Sequence, residues 1–187
     1  TTDFIGALKV ERYVLKNNKL SVLLLPDPGS ETLAYHTYFD VGSGDEVVGK
    51  TGLAHLFEHM MFKRTDKYDD IHFSQVLEES GAPDLNAWTW LDMTAYHVSL
   101  PAEKLGLIVD LESTRMDGLV VDKEQLDAER EVVINERKLS VDNSPGGKLS
   151  EVLFSTAYEK HSYGWPTVGW LADLEKLTVE VDREYGC

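Results

Sequence analysis

Cysteine is all but absent from this chain of 187 residues: there is one, Cys187, at the last position. No internal disulfide can form, and any metal site must be built from histidines and carboxylates rather than thiolates. A cysteine-free body suits the cytosol and also suits many periplasmic proteins, so this scarcity leaves the compartment open. Long apolar runs are missing as well. None approaches the roughly 20 residues a helix needs to cross a bilayer, so no membrane span is expected. Positive charge is scarce: 18 lysines and arginines stand against 33 aspartates and glutamates, a formal net charge of −15. That balance argues against nucleic acid and anionic membranes as partners and favours neutral or basic ones. Repeats, low-complexity tracts and Pro/Gly/Ser-rich linkers are lacking, so residues 1–187 read as a single domain. The chain opens at Thr1 without a charged-then-apolar leader, and the expectation is a signal peptide absent or already removed.

What is present is 42% apolar and 27% charged, the make-up of an ordinary folded domain. The stretches "VERYVL" and "LSVLLLP", joined by "KNNK", predict a hairpin over Val10 to Leu25. A third strand follows in "LAYHTYFDVGSG", where alternating residues end at Gly42 and Gly44. The spacing then turns helical. Leu53, Leu56, Phe57, Met60 and Met61 follow the i, i+3, i+4 rule of one buried face. A helix over Ile71 to Glu79 is stopped by Gly81 and Pro83, and two strands follow in "LNAWTW" and "MTAYHVSL". Three helices are expected near Glu103 to Met116, Lys123 to Leu139 and Lys148 to Ala157, the first turning Leu105, Ile108, Val109 and Leu111 towards a core. A loop, "HSYGWPTVGW", precedes a short helix near Leu171 to Leu177. Strands early and helices late predict an α+β fold, helices packed on a largely antiparallel sheet.

The chemistry concentrates in "GLAHLFEHMMF". His55 and His59 are four apart, one helical turn, so their imidazoles can converge on one ion, and Glu58 borders that face. Zinc held by neutral imidazoles with one open position brings the pKa of bound water to about 7. A carboxylate beside it can take the water's proton and pass it to a leaving amine. A single histidine on an apolar helix is more often a hydrogen-bonded core residue. Three polar side chains among Leu56, Phe57, Met60 and Met61 are costly to bury unless something satisfies them, which favours the metal reading. A third protein ligand is needed, and "LDAEREVVINERKL" offers carboxylates. Glu129 and Glu136 share a face two turns apart, whereas Glu131 points elsewhere. Spacing alone does not choose between Glu129 and Glu136.

The order of these stretches, "GLAHLFEHMMF", "NAWTWLDMTAYHVSLP", "LDAEREVVINERK" and "HSYGWPTVGW", resembles the pitrilysin-type zinc peptidases, the family of insulin-degrading enzyme and the mitochondrial processing peptidase. The likeness runs from the first hairpin to about Leu177. It implies one Zn2+ per chain held by His55, His59 and Glu136, with Glu58 working on the water and Glu129 orienting the site through hydrogen bonds. It also implies that Asn86, Ala87, Trp88 and Thr89 form an edge strand that pairs with an extended peptide substrate. By itself Trp88, like Trp90, suits a core as well as a pocket. His36, His72 and His161 lack ligand spacing and are expected to be structural or exposed.

Family catalytic units pair two homologous halves around a chamber. The resemblance therefore implies a homodimer, or a heterodimer with a second-half homologue, and a chain ending before the last strands of the usual half. Arg64 stands where bacterial relatives more often carry glycine, and Gly81-Ala82 where a Gly-Gly pair is usual; neither touches the expected site. The expected function is a zinc-dependent endopeptidase acting on peptides or small unfolded proteins. The alternative is a non-catalytic partner subunit that binds peptide and completes a heteromeric enzyme, although such subunits typically lack one of the metal residues. S-ribosylhomocysteine lyase carries a similar inverted motif but relies on an active-site cysteine, for which Cys187 is poorly placed. The segments look most like bacterial secreted members, which points to the periplasm or the exterior.

Overall fold

A computed structural model describes residues 2–4, 8–82 and 84–180. Cys187 and Pro83 lie outside the described residues, as do the side chains of Ile71 and His72. The chain divides into two compact units, residues 1–32 and 33–187.

The first unit is a three-stranded antiparallel sheet in the order β1 (Thr2–Phe4), β2 (Leu8–Val14) and β3 (Ser21–Leu24). The expected hairpin is β2 and β3, with Val14 opposite Ser21 and Glu11 opposite Leu24. Its turn closes where Lys19 takes a left-handed φ of 63° and Asn18 Oδ1 accepts the Leu20 N–H, the local bond that suits asparagine to turns.

The second unit carries a sheet in the order β4-β6-β5, from β4 (Thr32–Phe39), β5 (Asn86–Thr89) and β6 (Thr94–Pro101). β5 pairs with β6 antiparallel and has no further neighbour among the described strands, so it is an edge. The helices are α1 (Leu53–Met60), α2 (Asp70–Glu79), α3 (Leu105–Gly118), α4 (Lys123–Arg137), α5 (Pro145–Ala157) and α6 (Leu171–Leu174). No helix of the described chain is long and apolar enough to cross a membrane.

Two apolar clusters hold these elements. In one, Leu53, Leu56 and Met60 of α1 pack on Leu126, Val133 and Ile134 of α4, with Leu174 and Leu177. In the other, Phe73 and Leu77 of α2 pack on Val98 and Leu100 of β6 and on Ile108 and Leu111 of α3. Each fully buried leucine here contributes about 2–3 kcal/mol by leaving water, so the two clusters fix α1 against α4 and α3 under the sheet.

Three expectations are corrected. In α3, Leu105 and Val109 are 51% and 46% exposed, and the buried face is Ile108, Leu111, Glu112 and Arg115. These four follow i, i+3, i+4, i+7, so the true face holds two charged residues that an apolar count passes over. They are buried as a pair: Arg115 Nη2 donates to Glu112 Oε2 at 2.8 Å, Thr37 Oγ1 donates to the same oxygen, and the guanidinium lies 4.2 Å from the Tyr96 ring centre. Second, α5 starts at Pro145, earlier than expected, because Ser144 caps it by accepting the Gly147 N–H, and proline suits the first helical position. Third, α4 ends at Arg137 and passes into a π-helical turn, Lys138–Asp142, while the last helix stops at Leu174.

Candidate metal centre

Helix α1 begins without a side-chain cap of its own. Its N-cap is Gly52, at a φ of 86°, and the orphan amides of the first turn are met instead by a carboxylate from the preceding loop. Glu46 Oε2 accepts from the Gly52 N–H at 3.0 Å and Oε1 from the Ala54 N–H at 2.8 Å. Burial pushes the Glu46 carboxyl up to about 8 despite these bonds. The loop that the sequence analysis left without a role staples the same corner. Trp165 Nε1 donates to the Ser43 carbonyl, the Trp170 N–H donates to Thr51 Oγ1, and Thr51 Oγ1 donates to Asp173 at 2.7 Å.

From this anchored start, α1 presents His55 and His59 to α4. His55 Nε2 lies 3.7 Å from Glu136 Oε1, and His59 Nε2 lies 3.5 Å from Glu136 Oε2. One ligand atom from each of the three residues falls within 4.8 Å of the other two. Glu129 is placed differently: its Oε2 lies 3.2 Å from His59 Nδ1, the ring nitrogen that faces away from Glu136. The structure thus separates two glutamates that spacing could not tell apart. Arg137 holds this end of α4 by donating to the Gly169 carbonyl and to Glu151.

The set fits a zinc ion. Its donors are two imidazole nitrogens and a carboxylate, the ligand type of a catalytic zinc site with an open position. Glu129 occupies the second nitrogen of His59 and so leaves Nε2 for the metal. The buried His55 Nδ1 has no hydrogen-bond partner, and burial lowers the His55 imidazole to about 4, so it is neutral and able to ligate. Burial alone would also lower His59, but its hydrogen bonds with Glu129 and Glu136 carry it up to about 9 without a metal. The same bonds with His59 hold the Glu129 and Glu136 carboxyls below their ordinary values.

Glu58 points into the same cleft, about 630 Å3 in volume, whose walls include His55, His59, Lys63, Trp88, Thr89 and Glu136. Thr89 Oγ1 donates to Glu58 Oε2, tying the edge strand to that carboxylate. Burial pushes the Glu58 carboxyl above its ordinary value against the Thr89 bond. All four residues of β5 line the cleft, and Trp88 and Trp90 are 40% and 56% exposed along its rim rather than in the core. His36 is exposed and stacks on Tyr38 and His97, and His161 is exposed and accepts the Tyr163 N–H. Neither belongs to the metal cluster.

Two residues of this site escaped the sequence reading. Lys63, four residues after His59, carried a signal in its i+4 spacing along the His55-His59 stripe. Glu46 carried none, since a loop carboxylate ahead of a helix is commonplace.

An inverted His-x-x-Glu-His helix faced by a glutamate of a second helix, beside an edge strand, makes a candidate zinc centre of the inverted-motif class. The chain belongs to the insulinase family, peptidase family M16, whose family model matches residues 21–169. It is 32% identical to the zinc protease PqqE of Helicobacter pylori over 178 residues, covering 95% of this chain and 40% of that protein. It is 28% identical to the probable mitochondrial-processing peptidase subunit beta of Schizosaccharomyces pombe, over 95% of this chain and 38% of that one. The crystal structure of a Helicobacter pylori protease superposes with a TM-score of 0.92 at 32% identity, over 96% of this chain and 43% of that chain. The chain thus spans about 40% of the length of these relatives.

Proposed function

We propose that the chain carries the catalytic metal centre of a zinc endopeptidase that hydrolyses peptides or small unfolded proteins. The observation that carries this reading is the convergence of His55 Nε2, His59 Nε2 and the Glu136 carboxylate in a cleft that also holds Glu58 and β5. Bound there, zinc supplies Lewis acidity that polarises a scissile carbonyl and acidifies water. Glu58 is the proton carrier. Its Oε2 is held by Thr89, which leaves Oε1 to take a proton from water as the hydroxyl adds to the carbonyl carbon. The same oxygen returns that proton to the leaving nitrogen as the peptide bond breaks. Burial raises its pKa, which makes it a stronger proton acceptor than an ordinary carboxylate.

β5 is read as the substrate rail. The Trp90 N–H donates to the Met93 carbonyl, so the alternation of an antiparallel ladder turns the N–H and C=O of Ala87 and Thr89 to the free edge. The Asn86 side chain occupies the Ala87 N–H at 2.8 Å, and a peptide strand adding here replaces that contact with its own carbonyl. A second homologous half, from a like chain or a different one, closes over the substrate in this reading, and the protein works in the periplasm or outside the cell, which fractionation tests.

The central test is zinc content together with cleavage of a quenched fluorogenic peptide. Glu58→Gln is expected to keep zinc and to lose about 100-fold or more of the rate. A parent protein without zinc, or a Glu58→Gln variant that cleaves as fast as the parent, sinks the reading.

A further inference from the structure

Lys63 is the one lysine or arginine among the described residues that line the cleft. Its Nζ lies 2.6 Å from Glu129 Oε1, with the two side chains 24% and 13% exposed. The other oxygen of the same carboxylate, Oε2, is the one that meets His59 Nδ1 at 3.2 Å. Both oxygens of Glu129 are therefore engaged, one by His59 of α1 and the other by Lys63 in the turn that follows the helix.

This geometry does more than an exposed ion pair, which water screens to a small contribution. A glutamate side chain on α4 gives up rotamer freedom when it is fixed. A single contact to the imidazole of a metal-bound His59, which must give up its extra proton to ligate, offsets only part of that. Glu58 and Glu136 also share this cleft, and their charge repels a third carboxylate. An ammonium on Oε1 answers both problems: it supplies a second anchor and a compensating charge, and it leaves Oε2 aimed at Nδ1.

We propose that Lys63 is a positioning residue for the zinc site, clamping Glu129 so that His59 is held with Nε2 turned towards Glu136. The inference rests on the zinc-centre reading above and acts through Glu129, with no contact between Lys63 and substrate.

The test is zinc affinity, measured by competition with a chromogenic chelator on the whole protein, for the parent, Lys63→Met, Lys63→Arg, Glu129→Ala and the double variant Lys63→Met/Glu129→Ala. Lys63→Met is expected to bind zinc about 10-fold more weakly, within the range for residues that hold a metal ligand in place. Lys63→Arg is expected to recover most of that loss. In the Glu129→Ala background, Lys63→Met is expected to change affinity by no more than about twofold, because the clamp has nothing left to hold. Melting temperatures of the metal-free proteins show whether each variant keeps its fold. Unchanged or tighter binding in Lys63→Met would mean that repulsion between the ammonium and the metal outweighs the clamp, and the proposal fails. Losses that add in the double variant overturn it equally. A parent that binds no zinc removes both the clamp and the peptidase reading, whereas a parent that binds zinc but cleaves no peptide strikes only the latter.

Discussion

Gly52 and Gly169 meet backbone to backbone: a Cβ built on Gly169 would lie 2.5 Å from the Gly52 Cα, and both residues hold a φ of 86°. The contact brings the loop before α6 against the N-cap of the histidine helix. A side chain at 169 would face two penalties, roughly 1–2 kcal/mol for the left-handed backbone and about 1–3 kcal/mol for overlap with atoms that cannot move aside. Gly49 separates the two effects, since it has a φ of 92° but nothing within 4 Å of an added Cβ. Gly169→Ala is therefore expected to destabilise clearly more than Gly49→Ala in urea denaturation. Equal midpoints would show that the close approach does not matter.

Zinc uptake is expected to release protons. In the metal-free protein His59 keeps its proton up to about pH 9, while a ligating imidazole must give it up. Calorimetric titrations at pH 7 in two buffers of different ionisation enthalpy should yield close to one proton released per zinc, and affinity should rise with pH towards 9. The companion His55, already neutral above about pH 4, adds little to that count. Identical heats in the two buffers would contradict this assignment.

Ala87→Pro tests the rail. Proline is tolerated on an edge strand where the N–H points away from the sheet, and it deletes the donor offered to a peptide. The variant is expected to keep its fold and its zinc affinity while KM for an extended peptide rises about 10-fold, the worth of one or two hydrogen bonds. If KM stays put, substrate does not pair with β5 at this residue.

Glu46 predicts how stability varies with pH. Its carboxyl is protonated in the native state up to about pH 8 but releases its proton near 4.5 in the unfolded chain. Between those values the native state binds more protons, so this group's contribution to stability falls as pH rises from about 4.5 to about 8. Glu46→Gln removes that slope. The stability difference between variant and parent, taken from denaturation at pH 5 and pH 8, should shift in favour of the variant at the higher pH. A difference that is constant across the range would show that Glu46 titrates normally.

How far the site could be read before folding depended on distance along the chain. His55, Glu58 and His59 sit within one helical turn and a fraction, where spacing alone dictates which side chains share a face, and the strands in "LNAWTW" and "MTAYHVSL" are equally local. Glu129 and Glu136 are equivalent in spacing, and only the packing of Val133 and Ile134 against Leu53 and Leu56 decides which carboxylate faces both Nε2 atoms. Glu46 acts on amides beyond its own turn, which no periodicity encodes. The α3 reading failed for a related reason. A buried Arg115 is intelligible only beside Glu112 and Tyr96, and Tyr96 comes from another element.

Because the two histidines and Glu136 belong to different helices, a ribosome delivers the first part of the site long before the last. A growing chain that has made α1 holds two imidazoles and the Glu58 carboxylate but lacks the acidic arm that closes the cage. Such a fragment has an incomplete donor set, and so does any misfolded copy in which α4 has drifted from α1. In the proposed zinc-peptidase reading, the spacing makes metal binding conditional on the joint between these helices: once it loosens, the three donors no longer converge.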